Sequence, residues 1–588
     1  MQHDLLIENG TVIDGTGAAP FTADIAVQGG LITAIGRTPG ELAGTARETI
    51  DARGAWVTPG FIDIHTHYDG QATWDDSFSP SIHHGVTTVV MGNCGVGFAP
   101  VRPGREDDLV KLMEGVEDIP GAALHEGIRW NWESFPQYMD ALAATPRSLD
   151  YLVQVPHDPL RMYVMGERAV AQQAATAEDI DDMRALLREA LHAGAAGFST
   201  GRSDNHRTSE GRETPASEAS AAELAGIVSA FDGLNHGVVQ CVSDFDLLRG
   251  AEHFDREFAL IEQVARACGR PLSMTWLQRD PGAEQYIAIR DRVEACVAQG
   301  LPLYLQTAAR GIGVIIGLDA SFHPFMGFPG YKEVAHLPLA ERAAALREPA
   351  RKARILGEKS ERLAGDGTAI PPLVDLLLAR IDMISGRMFP LGPMPDYEPS
   401  VMQSFLVRAK QGGISPMAAL YDHLAGGDGD HLIYFPIFNY NAGSLDVLGE
   451  MLRHPRALAG LSDAGAHVGT VCDASFTTFM LTHWARDRKE GRLAVETVVR
   501  MLTQRNADYL GLKDRGTLKV GLRADFNLID PSELGVGAPR LVADLPAGGK
   551  RFLQKATGYR GTWVAGQAVQ RDGTVTGARP GTLVRMGH

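Results

Sequence analysis

The sequence lacks a surplus of basic residues, and it has no long apolar run. Its 588 residues include 55 lysines and arginines against 72 aspartates and glutamates, which gives a formal charge of -17 at neutral pH. This balance argues against a nucleic-acid or anionic-membrane partner, because either would favour a basic surface. No window approaches the roughly 18 apolar residues of a membrane helix. We therefore expect a protein that acts on a small molecule.

Cysteines are also scarce, and they do not form the pattern of a disulfide framework. The five cysteines are odd in number and widely spaced, which fits a reducing cytoplasm. The first residues, "MQHDLLIENGTVIDGTG", lack the basic and apolar regions of a secretory signal. These observations predict a cytoplasmic protein.

Several common catalytic motifs are absent. The sequence has no Walker-type phosphate loop and no Gly-x-Ser-x-Gly nucleophile elbow. The glycine repeats in "GVGFAP" and "GIGVIIG" lack the strand–turn–helix context of a dinucleotide site. Nucleotide binding and covalent serine catalysis are therefore unsupported.

The two ends of the chain resemble each other in pattern. Residues 1–58 and 512–588 contain short alternating segments separated by glycine turns, which predict β-strands. Since neither segment has enough strands for its own core, we expect the two to form one small β-sandwich domain. A chain of this length is also expected to divide into more than one domain.

Residues 59–511 instead alternate apolar strands with amphipathic helices. One clear helix starts after Thr176, has Ile180, Met183, Leu187 and Leu191 on one face, and ends at Gly194. Eight candidate strands follow this rhythm: "GFIDIHTH", "VTTVVMGNCG", "LDYLVQVPH", "AAGFST", "HGVVQCVSD", "PLSMTWLQ", "LPLYLQTAA" and "ALAGLSDAG". The pattern predicts an α/β fold with a closed, TIM-like (β/α)₈ barrel.

The spacing is interrupted between about residues 310 and 450. This stretch has long helical patterns and no obvious barrel strand. An excursion after the seventh strand emerges at the catalytic face of a barrel, so we interpret it as a helical lid or substrate-shaping insertion. A scaffold or an oligomer contact is the alternative.

The segment "GFIDIHTHYDG" ends an apolar strand with two histidines. His65 and His67 are two positions apart, so their side chains point to the same side of the strand, toward the barrel axis. They lie at the carboxyl end of the strand, where barrel active sites form. Two neutral imidazoles suit Zn²⁺ or another borderline divalent metal.

Several motifs in order resemble the amidohydrolase superfamily, and more closely its N-acyl-D-amino-acid deacylase (D-aminoacylase) branch. They are "GFIDIHTHYD", "GVTTVVMGNCG", "VPHDPLRMYVMG", "GFSTG", "LSDAGAH" and "GTLKVGLRADFNLID". The resemblance implies that His65, His67 and Asp463 bind one metal and that Asp463 takes a proton from the attacking water. It also implies that Cys94 ligates or bridges metal. A carboxylate beside a metal-bound water can accept its proton independently of any family argument.

The sequence departs from this branch at the fifth and sixth strands. The branch has metal-binding histidines there, whereas an ungapped alignment places Ser243 and Trp276 at those positions. Trp276 cannot ligate a metal, because its indole offers only an N–H donor. Phe245 and Gln278 replace the cationic residues that contact substrate. We therefore expect one metal ion, zinc by its ligand types, and a substrate bulkier or more hydrophobic than a simple acyl amino acid.

Two alternatives remain open at the fifth strand. A shifted register would make Asp244 or Asp246 a ligand, and a bulge would do the same for Cys241. Cys241 as a buried core thiol is the competing interpretation.

Five residues are candidate substrate contacts: His157, Arg161, Ser243, Trp276 and His467. His157 follows the third strand and could bind a substrate carbonyl, or it is a structural histidine. Arg161 could bind an anion, or it forms a salt bridge within its loop. His467 lies four residues after Asp463, in a loop that we expect over the metal.

Together these features predict a metal-dependent hydrolase of a carbon–nitrogen bond, most simply an amide, with Asp463 as general base. One alternative is single-metal hydrolysis of cyclic amides, esters or lactones. A second is a non-catalytic relative that binds a ligand. The expected partner is a small-molecule substrate, and assembly into homo-oligomers is common among such enzymes.

Overall fold

The structure is a computed structural model that describes residues 3–38, 40–42, 46–203, 205–245, 250–279, 282–364, 370 and 372–587. Asp246, one of the alternative ligands, lies outside the described residues.

Eight parallel strands form the central sheet, and they follow one another in chain order around it. They are Phe61–Asp63, Val86–Met91, Asp150–Pro156, Gly197–Arg202, Val238–Ser243, Leu272–Thr275, Leu303–Thr307 and Ala457–Ala459. All eight coincide with the apolar runs of the sequence, so the strand prediction is confirmed. Nearly every residue in them is buried, as expected for a sheet covered by helices.

The first and last strands also meet. Thr66 and Ala464, just beyond these strands, form a parallel bridge, and the N–H of His67 donates to the carbonyl of Ala464 at 2.8 Å. At the strands themselves, the amide of Asn506 donates to the carbonyls of Ile62 and Ala459. These bonds close the sheet into a (β/α)₈ barrel, as predicted.

Helices surround the barrel. They span Glu106–Glu117, Gly121–Gly127, Phe135–Ala143, His157–Met165, Glu167–Val170, Ala177–His192, Ala221–Val228, Ala251–Cys268, Gln285–Ala298, Asp446–Arg453, Phe476–Phe479, Val495–Leu502 and Gln504–Leu510, and a π-helix spans Met480–Asp487. The predicted cap is present: the Thr176 side chain accepts from the N–H of Asp179. Met183, Leu187 and Leu191 are fully buried, which confirms the predicted inner face of that helix.

Both chain termini contribute to one mixed sheet of nine strands. These are His3–Val12, Phe21–Gln28, Leu31–Gly36, Ala46–Asp51, Trp56–Pro59, Phe526–Ile529, Tyr559–Val564, Gln567–Arg571 and Thr574–Val575. The Phe526–Ile529 strand pairs with Trp56–Pro59, so this pairing joins the two ends of the chain. Two ribbons lie nearby: Gly535–Val536 with Ala556–Thr557, and Arg540–Ala543 with Lys550–Leu553.

The insertion after the seventh barrel strand has its own hydrophobic core, which includes Phe325, Ile355 and Tyr421. Its helices span Pro329–Lys332, Leu339–Leu346, Pro349–Gly357, Pro372–Leu378, Ile381–Ile384, Phe405–Gly412 and Pro416–Leu424. It also contains an antiparallel sheet that the sequence did not predict, formed by Gly313–Ile316, Leu432–Pro436 and Phe389–Leu391. The insertion is therefore mixed in structure rather than wholly helical.

All five cysteines are buried and unpaired, in agreement with the expected lack of a disulfide framework. Within the described ranges, no helix has both the length and the apolar character needed to cross a membrane.

Candidate metal centre

His65 and His67 lie directly beyond the first barrel strand, at the carboxyl end of the barrel. Both side chains are 1% exposed, so they face the interior rather than solvent. The N–H of Thr66, between them, donates to the carbonyl of Val90 at 3.0 Å in the second strand. This anchoring fixes the backbone, and it leaves both imidazoles on the same side, as the strand periodicity predicted.

Cys94 completes a compact group with these histidines. Ligand atoms of His65, His67 and Cys94 all lie within 4.8 Å of one another, and the Cys94 sulfur is 3.2 Å from His65 Nε2. Cys94 is held in the left-handed backbone region at φ 57°, and its N–H donates to the Gln240 side chain at 2.8 Å. A Cβ on Gly201 would lie 2.3 Å from the Cys94 carbonyl oxygen, so the "GNCG" turn requires a glycine in the facing strand.

Asp463 approaches the same group from the end of the eighth strand. Its Oδ1 lies 3.2 Å from His65 Nε2 and 3.8 Å from His67 Nε2. The preceding residue fixes this position, because the Ser462 hydroxyl donates to Asp63 at 2.5 Å and to the His65 carbonyl at 3.0 Å. The Asp463 side chain is 17% exposed, so it is the member that reaches toward the barrel mouth.

These donors fit a divalent metal. Donor atoms around a tetrahedral zinc ion lie about 3.3–3.8 Å apart, given bond lengths of about 2.0–2.3 Å. The Gln306 amide donates to Ser273 through its nitrogen, so its oxygen accepts from His65 Nδ1 at 2.7 Å. His65 Nε2 therefore carries a lone pair toward Cys94 and Asp463, an arrangement of facing acceptors that a cation would stabilise.

The ionisation preferences of the group support the same conclusion. Burial lowers the pKa of His65 to about 4 and that of His67 well below its usual value, so both imidazoles are neutral, as metal ligands must be. Burial also raises the pKa of Asp463, and burial together with Glu117 and Asp463 raises that of Cys94. A bound cation would reverse these shifts on the acidic groups.

Two residues near the group were missed by sequence reasoning. Glu117 ends the helix after the second strand, and its carboxylate lies 3.3 Å from His67 Nδ1 and 3.5 Å from His467 Nε2. His206, in the segment after the fourth strand, is close enough to lower the pKa values of both His67 and His467. Glu117 falls four residues after the buried Met113, and this acidic residue on an apolar helix face is the signal that could have identified it.

The sequence profile of the amidohydrolase family matches residues 48–570 of the chain. The chain belongs to the amidohydrolase family. Among curated proteins, it is 28% identical to a D-aminoacylase from Alcaligenes xylosoxydans xylosoxydans, over 99% of this chain and 97% of that protein. This amidohydrolase is thus a D-aminoacylase-like enzyme, a metal-dependent hydrolase of carbon–nitrogen bonds other than peptide bonds.

Solved structures share the fold of this amidohydrolase. A crystal structure of D-aminoacylase aligns with a TM-score of 0.64 and 24% identity, covering 99% of this chain and all of that one. An N-acyl-D-glutamate deacylase from Bordetella bronchiseptica, solved with zinc and a phosphonate inhibitor, aligns with a TM-score of 0.61 and 24% identity over the full length of both chains.

In this amidohydrolase, the residues at the fifth and sixth strand ends form contacts of their own. Ser243 is buried and lies 3.3 Å from the Glu257 carboxylate, to which its hydroxyl donates. The Trp276 indole N–H donates to the carbonyl of Tyr286 at 2.9 Å. Asp244 accepts from Ser203 and pairs with Arg279 at 3.3 Å. A role for Ser243 or Trp276 in substrate binding stays a prediction.

His157 and Arg161 converge on Glu223, another residue that sequence reasoning did not select. His157 is fully buried between the Thr200 hydroxyl at 3.0 Å and the Glu223 carboxylate at 3.3 Å. Arg161 donates to Glu223 at 2.7 Å and to the carbonyls of Pro215 and Gln173. These contacts favour the structural alternative for both residues, and their role in substrate binding stays a prediction.

His467 lies in the loop after the eighth strand, four residues beyond Asp463. It has a left-handed backbone at φ 49°, and its side chain is 29% exposed. Its N–H donates to the carbonyl of Glu117, so this loop is tied to the helix after the second strand. The imidazole is therefore accessible to a substrate from the barrel mouth.

Proposed function

We propose that this amidohydrolase cleaves the amide bond of an N-acyl compound that is bulkier or more hydrophobic than a simple N-acyl-D-amino acid, with one metal ion held by His65, His67, Cys94 and Asp463. The observation that carries the proposal is that ligand atoms of His65, His67 and Cys94 lie within 4.8 Å of one another, and that Asp463 Oδ1 lies 3.2 Å from His65 Nε2 and 3.8 Å from His67 Nε2. A divalent metal bound there would polarise the substrate carbonyl and lower the pKa of water.

Asp463 is the general base in this proposal. It is the most exposed of the four donors, so one carboxylate oxygen can face an attacking water while the other faces the histidines. It would accept the proton of that water and pass it to the leaving nitrogen, because an amine leaves readily only when protonated. In this proposal His467, whose side chain is 29% exposed, contacts the substrate.

A single metal ion, zinc by its ligand types, is supported by the surroundings of the donors. Among the described residues, only one group of three or more histidine, cysteine or acidic side chains converges closely enough to hold an ion. From the fifth and seventh strands, Gln240 and Gln306 extend toward Cys94 and His65 as neutral amides. Neutral amides are weak zinc ligands, so these strands add hydrogen bonds rather than a second metal site.

An apolar substrate is supported by the residues at the barrel mouth. Leu277, Ala308 and Leu461, at the ends of the sixth, seventh and eighth strands, form one hydrophobic cluster. Ile312 and Phe438, at the two ends of the insertion, pack against it and are only partly buried. Such a surface favours a hydrophobic acyl or side-chain group over a charged one.

The decisive experiment compares Asp463→Asn with the wild type on a panel of N-acyl-D-amino acids, aryl amides and lactones. Loss of the base should lower kcat for amides by about 10²–10⁴-fold. Near wild-type amide turnover by Asp463→Asn would refute the mechanism.

The second candidate function, hydrolysis of cyclic amides, esters or lactones, uses the same donors and would appear as a higher kcat/KM for lactones in that panel. The non-catalytic alternative does not hold for a member of this hydrolase family.

A further inference from the structure

The Glu117 carboxylate is the least satisfied buried acid near the metal ligands. It is 1% exposed, and neither of its oxygens has a hydrogen-bond partner within the described part of the chain. Its two oxygens instead face two different imidazoles: Oε1 lies 3.3 Å from His67 Nδ1, and Oε2 lies 3.5 Å from His467 Nε2. A buried acid in this position requires a reason, because its charge is costly without partners.

The first contact joins Glu117 Oε1 to His67 Nδ1 at 3.3 Å. His67 Nε2 points toward Asp463 and the donor group, so Nδ1 is the nitrogen left for a hydrogen on the far side. A carboxylate that accepts from Nδ1–H fixes the tautomer, fixes the ring orientation and increases the basicity of Nε2. Glu117 therefore stands where a carboxylate would strengthen His67 as a ligand.

The second contact reaches the loop that carries Asp463. The His467 imidazole faces Glu117, and the His467 N–H donates to the Glu117 carbonyl. The next residue extends the same link, because Asp118 accepts from the N–H of Gly469 at 3.2 Å and from the Thr470 hydroxyl at 3.1 Å. One helix end therefore holds a metal-ligand histidine and the loop after the eighth strand.

We propose that Glu117 is a positioning residue that sets the tautomer of His67 and, through His467, fixes the loop that follows Asp463. Glu117 itself does not contact the metal or the substrate. The proposal rests on the metal site of the proposed function, and it adds the reason why a buried glutamate ends a helix beside that site.

The test measures the zinc dissociation constant by competition with a chromophoric chelator, using the purified full-length chain. Glu117→Gln keeps the size of the side chain but removes its charge, and we expect zinc affinity to fall about 10–100-fold. Glu126→Gln, an exposed acid on the neighbouring helix, removes the same charge and should leave affinity unchanged. When loaded with Co²⁺, the Glu117→Gln protein should show altered ligand-field absorption, whereas the Glu126→Gln protein should match the wild type.

A merely structural role would give a different pattern. It would lower the unfolding midpoint of the metal-free Glu117→Gln protein without changing zinc affinity, whereas a positioning role leaves that midpoint equal or higher because a buried charge is removed. Wild-type affinity in Glu117→Gln, or an equal loss in Glu126→Gln, would overturn the proposal. A wild-type chain that binds no zinc would instead refute the metal site itself.

A second variant tests the link to the loop and serves if Glu117→Gln does not fold. His467→Gln, at a partly exposed position, should weaken zinc binding several-fold, because it removes one of the two imidazoles that face Glu117. The double variant should be no weaker than Glu117→Gln alone, since both changes break one linked unit. Unchanged affinity in His467→Gln, or additive losses, would overturn this part of the proposal.

Discussion

Two clusters of buried histidine and carboxylate groups lie at the end of the same barrel, and they differ in how their polar atoms are used. In the first, His65 directs a nitrogen acceptor at the Asp463 carboxylate, and His67 Nε2 lies 3.8 Å from the same oxygen. In the second, Arg161 supplies donors to the Glu223 carboxylate, and His157 lies between that carboxylate and a hydroxyl.

The comparison separates the proposed metal site from a structural ion pair. Burial raises the pKa of Glu223, but the contacts from His157 and Arg161 outweigh it and hold that pKa at about 2. Around the other cluster, burial raises the pKa values of Asp463 and Glu117, and among the described residues neither carboxylate forms an ion pair with a lysine or arginine. A carboxylate that is paired with a buried cation needs no ligand, whereas acceptors that face one another are stabilised by a bound cation.

The largest expected effect is on metal content. His65→Ala should lower bound zinc from about one ion per chain to roughly none, because a tetrahedral site loses one of its four donors. His157→Ala, the matched change in the other cluster, should retain the zinc and lower only the unfolding midpoint. Metal quantification after purification without chelator measures the zinc content of both variants. Equal metal loss in the two would contradict the distinction drawn between the clusters.

The next effect is on stability. Glu223→Gln should lower the free energy of unfolding by about 3–5 kcal/mol, because it leaves Arg161 as an uncompensated buried charge. Glu189→Gln, an exposed position on the Ala177–His192 helix, should change it by less than about 0.5 kcal/mol. Urea unfolding at neutral pH measures both changes. A loss below 1 kcal/mol in Glu223→Gln would mean that this ion pair does not stabilise the fold.

The helix that carries His157 and Arg161 should make the stability of the protein depend on pH. Burial raises the pKa of Asp158 to about 8, although the N–H of Ala216 donates to it at 2.6 Å. A raised folded-state pKa means that stability is full below the unfolded pKa of about 4 and is lost as pH rises to about 8, at about 1.4 kcal/mol per pH unit. In metal-free protein, Asp158→Asn should remove this slope, and parallel unfolding curves for the two proteins would contradict the assignment.

The smallest expected effect concerns Trp276. Trp276→Phe removes the hydrogen bond to the Tyr286 carbonyl and should cost about 1 kcal/mol of stability while zinc affinity stays unchanged. Thermal unfolding and the chelator competition measure these quantities. A raised KM without loss of stability would instead place the indole against the substrate.

The sequence predicted best those features that depend only on the burial of a strand and on the direction of its backbone. The eight barrel strands are apolar runs between helices, and that pattern is sufficient to identify them. His65, His67 and Asp463 were identifiable because each follows such a run at the carboxyl end. The motifs added Cys94, whose position depends on a turn rather than on strand periodicity.

Residues whose roles depend on tertiary partners were not identified. Glu223 is separated from Arg161 by 62 positions, so no local pattern connects them. Glu117 is marked only by its place on an apolar helix face, and its contacts with His67 and His467 depend on the tertiary fold. The sheet of the insertion was missed because its strands have only three to five residues, too few to show a period.

The bonds that close the barrel also bring together the residues of the proposed metal site. Ser462 and Asp63, whose hydrogen bond holds the segments carrying Asp463 and His65, are 399 positions apart in the chain. A ribosome must therefore release most of the protein before the two can meet, and the newly made first half carries its histidines without their carboxylate. Closing a loop of this length costs conformational entropy, so we expect this contact to form late in folding. Metal binding by the full set of proposed ligands would therefore require that synthesis and barrel closure are complete.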